Sequence, residues 1–205
     1  MNTNTSVRTA VHVAGGRLLA PLHAIHNIPS FLQSWQCEEL MRQVAAGSET
    51  STSRMENGLT DSRRTSSTLH LSREATPEWL WERLEEVLPN ASRAFFEPVQ
   101  LTRYEIGQRY MSHLDVLTHP DEQGQRVATV LVYLNTVDVG GETVFHHAGC
   151  RVAPRSGDAV IFFPADHRGS PHKDMLHEAL PPLSGPKFVL QAWMRQFPCP
   201  ALHSL

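Results

Sequence analysis

Residues 126–136 read RVATVLVYLNT, and this run sets the texture of the second half of the chain. It is rich in valine and threonine. Four further runs share its character: VQLTRYEI at 99–106, GGETVFHH at 140–147, DAVIFFP at 158–164 and KFVLQAWMRQ at 187–196. Clusters of glycine or proline separate them, so each reads as a β-strand. Several short strands with loops between them suit a jelly roll or small barrel.

Upstream the pattern is helical. SWQCEELMRQVAAG, residues 34–47, predicts a helix with Trp35, Leu40 and Val44 on one side and Gly47 as its stop. A second helix is predicted from a Thr76 cap and Pro77, with Leu80, Leu84, Val87 and Leu88 along one face up to Pro89. Helices first and strands afterwards point to an α+β chain with helices packed on one face of the β structure. The expected organisation is a single domain, 1–205. It comprises a flexible tail at 1–15, a helical support region at 16–97 and a β core at 98–197. A polar, glycine-punctuated stretch at 48–66 reads as a loop, either a solvated one or a lid, and it carries Arg54, Arg63 and Arg64. THPDEQGQ, residues 118–125, reads as a second mobile segment.

Composition narrows the function classes. A net charge of −3 gives no general attraction to nucleic acid or an anionic membrane. No apolar stretch reaches the length of a membrane span, and the polar start lacks a signal-peptide core. Cys37, Cys150 and Cys199 form no CxxC pair, so a reducing compartment, the cytoplasm, is the expectation.

The chemistry starts at 109–115, RYMSHLD. In a strand His113 and Asp115 would point to one side and Leu114 to the other. An imidazole and a carboxylate on one side can take two adjacent positions of a divalent ion. One more histidine would complete a facial triad of the kind that holds non-haem Fe(II) with open positions for substrate and oxygen. His146, His147, His167, His172 and His177 are the candidates; His177, in DMLHEALPP just before the last strand, is preferred over the loop residue His172. An isolated HxD pair is otherwise two polar residues at a strand end, and a catalytic zinc site is the competing metal. In the last strand Lys187, Val189, Gln191 and Trp193 share a side. If that side faces inward, the buried ammonium needs an anion, and the far carboxylate of a dicarboxylate would supply it. Tyr104 and Tyr133 can add hydroxyl donors or simply pack in the core. Thr129 falls on the Tyr133 side of its strand. Gly140 and Gly141 read as a tight turn or bulge.

Taken together, RYEIGQRYMSHLD, RVATVLVYLNTVDVGGETVF, VAPRSGDAVIFFP and DMLHEALPPLSGPKFVLQAWMR resemble the catalytic domain of the prolyl 4-hydroxylase branch of the 2-oxoglutarate/Fe(II) dioxygenases. The resemblance covers about residues 98–197 and extends faintly upstream through IPSFLQSWQCEEL and RRTSSTLHL. It implies a double-stranded β-helix, a distorted jelly roll. It also implies Fe(II) on His113, Asp115 and His177, and 2-oxoglutarate on Lys187, helped by Tyr104 and Tyr133 with Thr129 nearby. Trp193, Tyr110, Arg64 and Arg63 fall where such an enzyme meets its substrate or supports its site. The implied reaction uses O2, with ascorbate as an accessory. It converts 2-oxoglutarate to succinate and CO2 while hydroxylating an unactivated C–H bond, foremost that of a prolyl residue in a peptide or protein. The other readings are the same chemistry on a free amino acid or small metabolite, and a metal-binding jelly roll without turnover.

Overall fold

The computed structural model describes residues 17–20, 24–46, 51–52, 64–88 and 91–198. The tail at 1–15, most of the 48–66 loop with Arg54 and Arg63, and the predicted helix stop at Gly47 lie outside those residues. In chain order the elements are β1 (Arg17–Ala20), β2 (Ile25–Ile28), α1 (Ser34–Ala46), β3 (Ser51–Thr52), β4 (Ser67–Leu71), α2 (Glu78–Val87) and β5 (Val99–Tyr104). They continue with β6 (Tyr110–His113), β7 (Arg126–Tyr133), β8 (Thr143–Phe145), β9 (Cys150–Val152), β10 (Ala159–Phe162), β11 (His177–Ala179) and β12 (Lys187–Arg195).

The strands pair antiparallel into two sheets. The larger has the order β1-β2-β10-β7-β12-β5-β4-β3, the smaller β6-β11-β8-β9. Side chains of the smaller sheet meet the larger one face to face: the Phe145 and Phe162 rings are 5.0 Å apart, and Phe162 and His177 4.8 Å. This is the double-stranded β-helix.

Strand parity sorts the core into two compartments. Ala128, Val130 and Val132 of β7, with Leu190 and Ala192 of β12, join Cys37, Leu40 and Val44 of α1 and Leu80, Trp81, Leu84 and Val87 of α2. The alternate residues Leu131, Tyr133 and Val189 join Phe145, Val152 and Phe162 between the sheets. Because β7 is covered on both faces, its sequence is almost continuously apolar rather than alternating. The same parity turns Lys187, Val189, Gln191 and Trp193 inward, all of them buried.

The structure corrects several expectations. The 16–97 region is not helical alone, because β1, β2, β3 and β4 form both ends of the large sheet. Such short, partly polar strands show little period of their own; β2 and β4 are seated by β10 and β5, and β1 and β3 pair in turn with β2 and β4. Trp35 is not on the buried face of α1: it is 55% exposed and packs edge-on against Trp79 of α2 at 5.6 Å. The inward positions are Cys37, Leu40 and Val44, spaced three and four apart. Thr76 does not cap α2; its hydroxyl donates back to the Ser72 carbonyl at 2.8 Å, and Pro77 is the capping residue. The segment 118–125 is tied down rather than free. Arg195 holds Asp121 and donates to the Gly124 carbonyl at 2.7 Å, and the Phe197 amide donates to the Gln123 carbonyl at 3.1 Å. Gly140 and Gly141 both take φ of +77°, and a Cβ on Gly140 would sit 2.4 Å from the Pro181 carbonyl oxygen, so this turn requires glycine.

Candidate metal centre

His113 closes β6, His177 opens β11, and the two stand opposite each other in register. Asp115 lies past the end of its strand. The chain leaves the sheet after His113 and bends, and this carries the carboxylate inward. Alternation within a strand is therefore not what aims it. Leu114, expected on the opposite side, packs against the inter-sheet core instead. One ligand atom from each of His113, Asp115 and His177 lies within 4.8 Å of the others. His113 Nε2 is 3.5 Å from Asp115 Oδ1, and His177 Nε2 is 3.9 Å from Asp115 Oδ2.

Both imidazoles are oriented the same way. Nδ1 of His113 lies 2.8 Å from the Met111 carbonyl oxygen, and Nδ1 of His177 lies 2.9 Å from that of Met175. A carbonyl only accepts, so each Nδ1 carries the proton and each Nε2 presents a lone pair to the centre. His113 Nε2 is buried and makes no hydrogen bond. An unpaired buried lone pair beside a carboxylate and a second imidazole is what a divalent ion would satisfy. Thr129 donates to Asp115 Oδ2 at 2.9 Å and fixes the carboxylate from the β7 side. Burial pushes the His177 imidazole down to about 4, aided by its neighbour His113. Burial alone would raise the Asp115 carboxyl, but the facing His177 and His113, with Arg126 beyond, hold it well below the usual carboxylate range. A neutral imidazole at His177 and a charged carboxylate at Asp115 result near neutral pH.

Next to this cluster is a cavity lined by Tyr104, Leu131, Thr143, Lys187, Val189 and Gln191, among others, with His113 and His177 at its metal end. Lys187 is 1% exposed. Its ammonium donates to the Gly141 carbonyl at 2.9 Å and lies 4.6 Å from the centre of the Tyr104 ring. Burial brings its pKa down to about 7, with Glu142 opposing the shift. The charged form thus lacks a full partner, and a carboxylate placed in the cavity would supply one.

Tyr104 flanks Lys187 in register on β5. Two residues expected to touch a bound diacid do something else. The Tyr133 hydroxyl is spent on Thr143 Oγ1 at 2.8 Å, and Thr143 is the one that reaches the cavity. Thr129 serves the Asp115 carboxylate. Tyr110 stacks on His113 with ring centres 3.5 Å apart. Arg64 lies over the Tyr110 ring at 4.9 Å. It is no exposed lid cation: it is 7% exposed and donates to Ser66, Thr68, Thr102 and Gln191. Trp193 faces inward opposite Thr129, under the Arg126 guanidinium at 3.9 Å. Arg126 is itself gripped by both oxygens of Glu97 at 2.7 Å.

Of the other histidines, His146 is paired with Glu178 at 2.8 Å and the exposed His172 turns its Nδ1 to the Phe163 carbonyl at 2.9 Å. Sequence reasoning missed Thr143 and Leu131 as cavity residues, and it placed Gln191 on the inward side of its strand without giving it a role in the site. Leu131 follows from Thr129, and Gln191 from Lys187, by strand parity alone. The carbonyls of Met111, Met175 and Gly141 carry no side-chain signal at all.

Residues 99–195 match the family model described as the 2OG-Fe(II) oxygenase superfamily. The chain is 29% identical over 191 residues to prolyl 4-hydroxylase 13 of Arabidopsis thaliana, spanning 82% of this chain and 69% of that one. It is 30% identical over 193 residues to probable prolyl 4-hydroxylase 9 of the same plant, spanning 82% and 67%. Among solved structures, the viral collagen prolyl hydroxylase of Paramecium bursaria Chlorella virus-1, in its 2OG complex, has a TM-score of 0.69 at 26% identity and covers 86% of this chain and 98% of that one. A Pseudomonas putida prolyl-4-hydroxylase shares the fold, with a TM-score of 0.61 at 20% identity over 85% and 94% of the two chains.

Proposed function

Because the chain belongs to the 2-oxoglutarate/Fe(II) oxygenase superfamily, in its prolyl 4-hydroxylase-like branch, we propose that this dioxygenase hydroxylates a prolyl residue held in a peptide or protein. One observation carries the reading. Two histidines and an aspartate converge on a single point, and a buried, anion-seeking lysine lies in the adjoining cavity. The support for a peptidyl substrate is the similarity to enzymes described as prolyl 4-hydroxylases and as a collagen prolyl hydroxylase.

His113, Asp115 and His177 would hold the iron, and Lys187 the distal carboxylate of 2-oxoglutarate. Iron and 2-oxoglutarate together supply the oxidising chemistry, converting the keto-diacid to succinate and CO2 while one oxygen atom of O2 enters a C–H bond. The chain's own residues prepare the site. The Met111 and Met175 carbonyls lock the tautomer and ring plane of the imidazoles. Thr129 keeps one oxygen of Asp115 engaged and oriented. The Lys187 ammonium, desolvated and backed by the Tyr104 face, is poised to exchange a partial interaction for a full ion pair. Leu131, Val189 and Ala179 line the cavity with apolar surface that excludes water.

The test is direct. Purified protein is supplied with Fe(II), 2-oxoglutarate and ascorbate, then offered proline-containing peptides and, in parallel, free amino acids. Peptide-dependent succinate release with a one-oxygen mass gain on proline is the expected result. Turnover confined to free amino acids, or oxygen placed elsewhere than on proline, overturns the substrate assignment.

A further inference from the structure

We infer that Gln125 is a positioning residue that sets the Asp115 carboxylate from the 118–125 segment, an inference that rests on the metal-centre reading above. Asp115 lies in a bend beyond β6, and among the described residues no neighbouring strand pairs with the backbone that carries it. Two residues later that backbone is clamped. The Gln125 carboxamide accepts from the Leu117 amide at 2.6 Å and donates to the Leu117 carbonyl at 2.9 Å. A single side chain thereby makes the pair of bonds that an adjacent strand would otherwise make. Its oxygen also accepts from the Arg126 amide at 2.9 Å, which ties the clamp to the start of β7. β7 is the strand whose Thr129 donates to Asp115. The carboxylate is therefore held from both sides, directly through Thr129 and through its own backbone by Gln125.

The clamp is buried and braced. Gln125 is 3% exposed. Its amide donates to Gln196 Oε1 at 2.6 Å, its carbonyl accepts from the Gln196 amide at 3.0 Å, and Gln196 Nε2 donates to the His167 carbonyl at 3.0 Å. Glycines leave room for the brace: a Cβ on Gly124 or Gly169 would come within 2.5 or 2.8 Å of Gln196 Oε1. An amide suits this place, since it offers a donor and an acceptor side by side on one planar group without charge.

The experiment uses the full chain and Co(II) as the probe. Gln125→Ala should weaken Co(II) binding by roughly 10- to 100-fold and shift the visible ligand-field bands. The melting temperature of the metal-free protein should stay close to wild type. Should that variant melt early, Gln125→Met keeps the side-chain length in the buried site and removes both bonds to Leu117, so it should show the same loss of affinity in a folded protein. The same substitutions in an Asp115→Ala background should cost no further affinity, because Gln125 acts through that carboxylate. Unchanged Co(II) affinity in Gln125→Ala overturns the inference, and so does an equal loss with and without Asp115. Wild-type protein that takes up no Co(II) at His113 and His177 sinks the metal centre itself, and this inference with it.

Discussion

An ammonium that is 1% exposed and has a neutral carbonyl and an aromatic face for company is a group waiting for an anion. Lys187 has a pKa near 7 in the folded protein, against 10.5 as its ordinary value. Between those limits the unfolded chain holds a proton that the folded chain has released, so Lys187 makes stability rise with pH across that window. Metal- and 2-oxoglutarate-free Lys187→Met should accordingly be more stable than wild type at pH 6, with the gap closing toward pH 10, as read by urea denaturation. The same pKa makes 2-oxoglutarate bind less well as pH rises through about 7. Lys187→Ala should lose that pH slope and weaken the cosubstrate by roughly 10- to 100-fold, the worth of one charge-assisted bond, measured as KM for 2-oxoglutarate. Thr129 is the second residue whose role is sharp. Thr129→Val keeps a β-branched side chain in β7 and removes the donor to Asp115 Oδ2. Affinity for Co(II) should fall roughly tenfold with the melting temperature of the metal-free protein preserved, as followed by titration and thermal denaturation.

At the scale of elements, β7 and β12 divide the molecule. Their outward residues meet the helices and their inward residues line the site. Damage on one face should spare the other. Leu84 of α2 is fully buried in the helix-side core. Leu84→Ala should cost about 2–5 kcal/mol of stability by urea denaturation, and leave kcat near wild type at a temperature where the variant is folded. This division was half legible. The alternation of Lys187, Val189, Gln191 and Trp193 identifies the inner face of β12 from sequence. The bend after His113 was not legible. An HxD pair suggests two residues on one side of a strand, whereas the strand ends at the histidine and the aspartate is aimed by its loop. The strands β1 to β4 at the two ends of the large sheet were missed because they are short and partly polar, and β2 and β4 are seated by partners further along the chain, β10 and β5.

At the scale of the whole molecule, the site is a meeting place of both sheets: His113 and His177 from the smaller one, Lys187 and Thr129 from the larger. Ligands bound there bridge the two sheets and should stabilise the fold as a unit. Mn(II) with 2-oxoglutarate, each at a hundredfold excess over its Kd, should each add about 2.7 kcal/mol to unfolding, seen as a rise in melting temperature. Stripping the metal with EDTA should reverse the gain, and His113→Ala should not show it.

The residue types were determined by sequence alone. An HxD pair, a later histidine and a lysine leading an apolar strand name their chemistry through side-chain identity and parity, and the order of helices and strands bounds the fold class. Convergence was decided only in three dimensions. Which histidine faces the pair, which hydroxyl serves the carboxylate rather than the cavity, and which amide holds the backbone beyond Asp115 all depend on contacts between positions distant in the chain. Such contacts arise from the packing of two sheets, and local pattern carries no record of distance across a core.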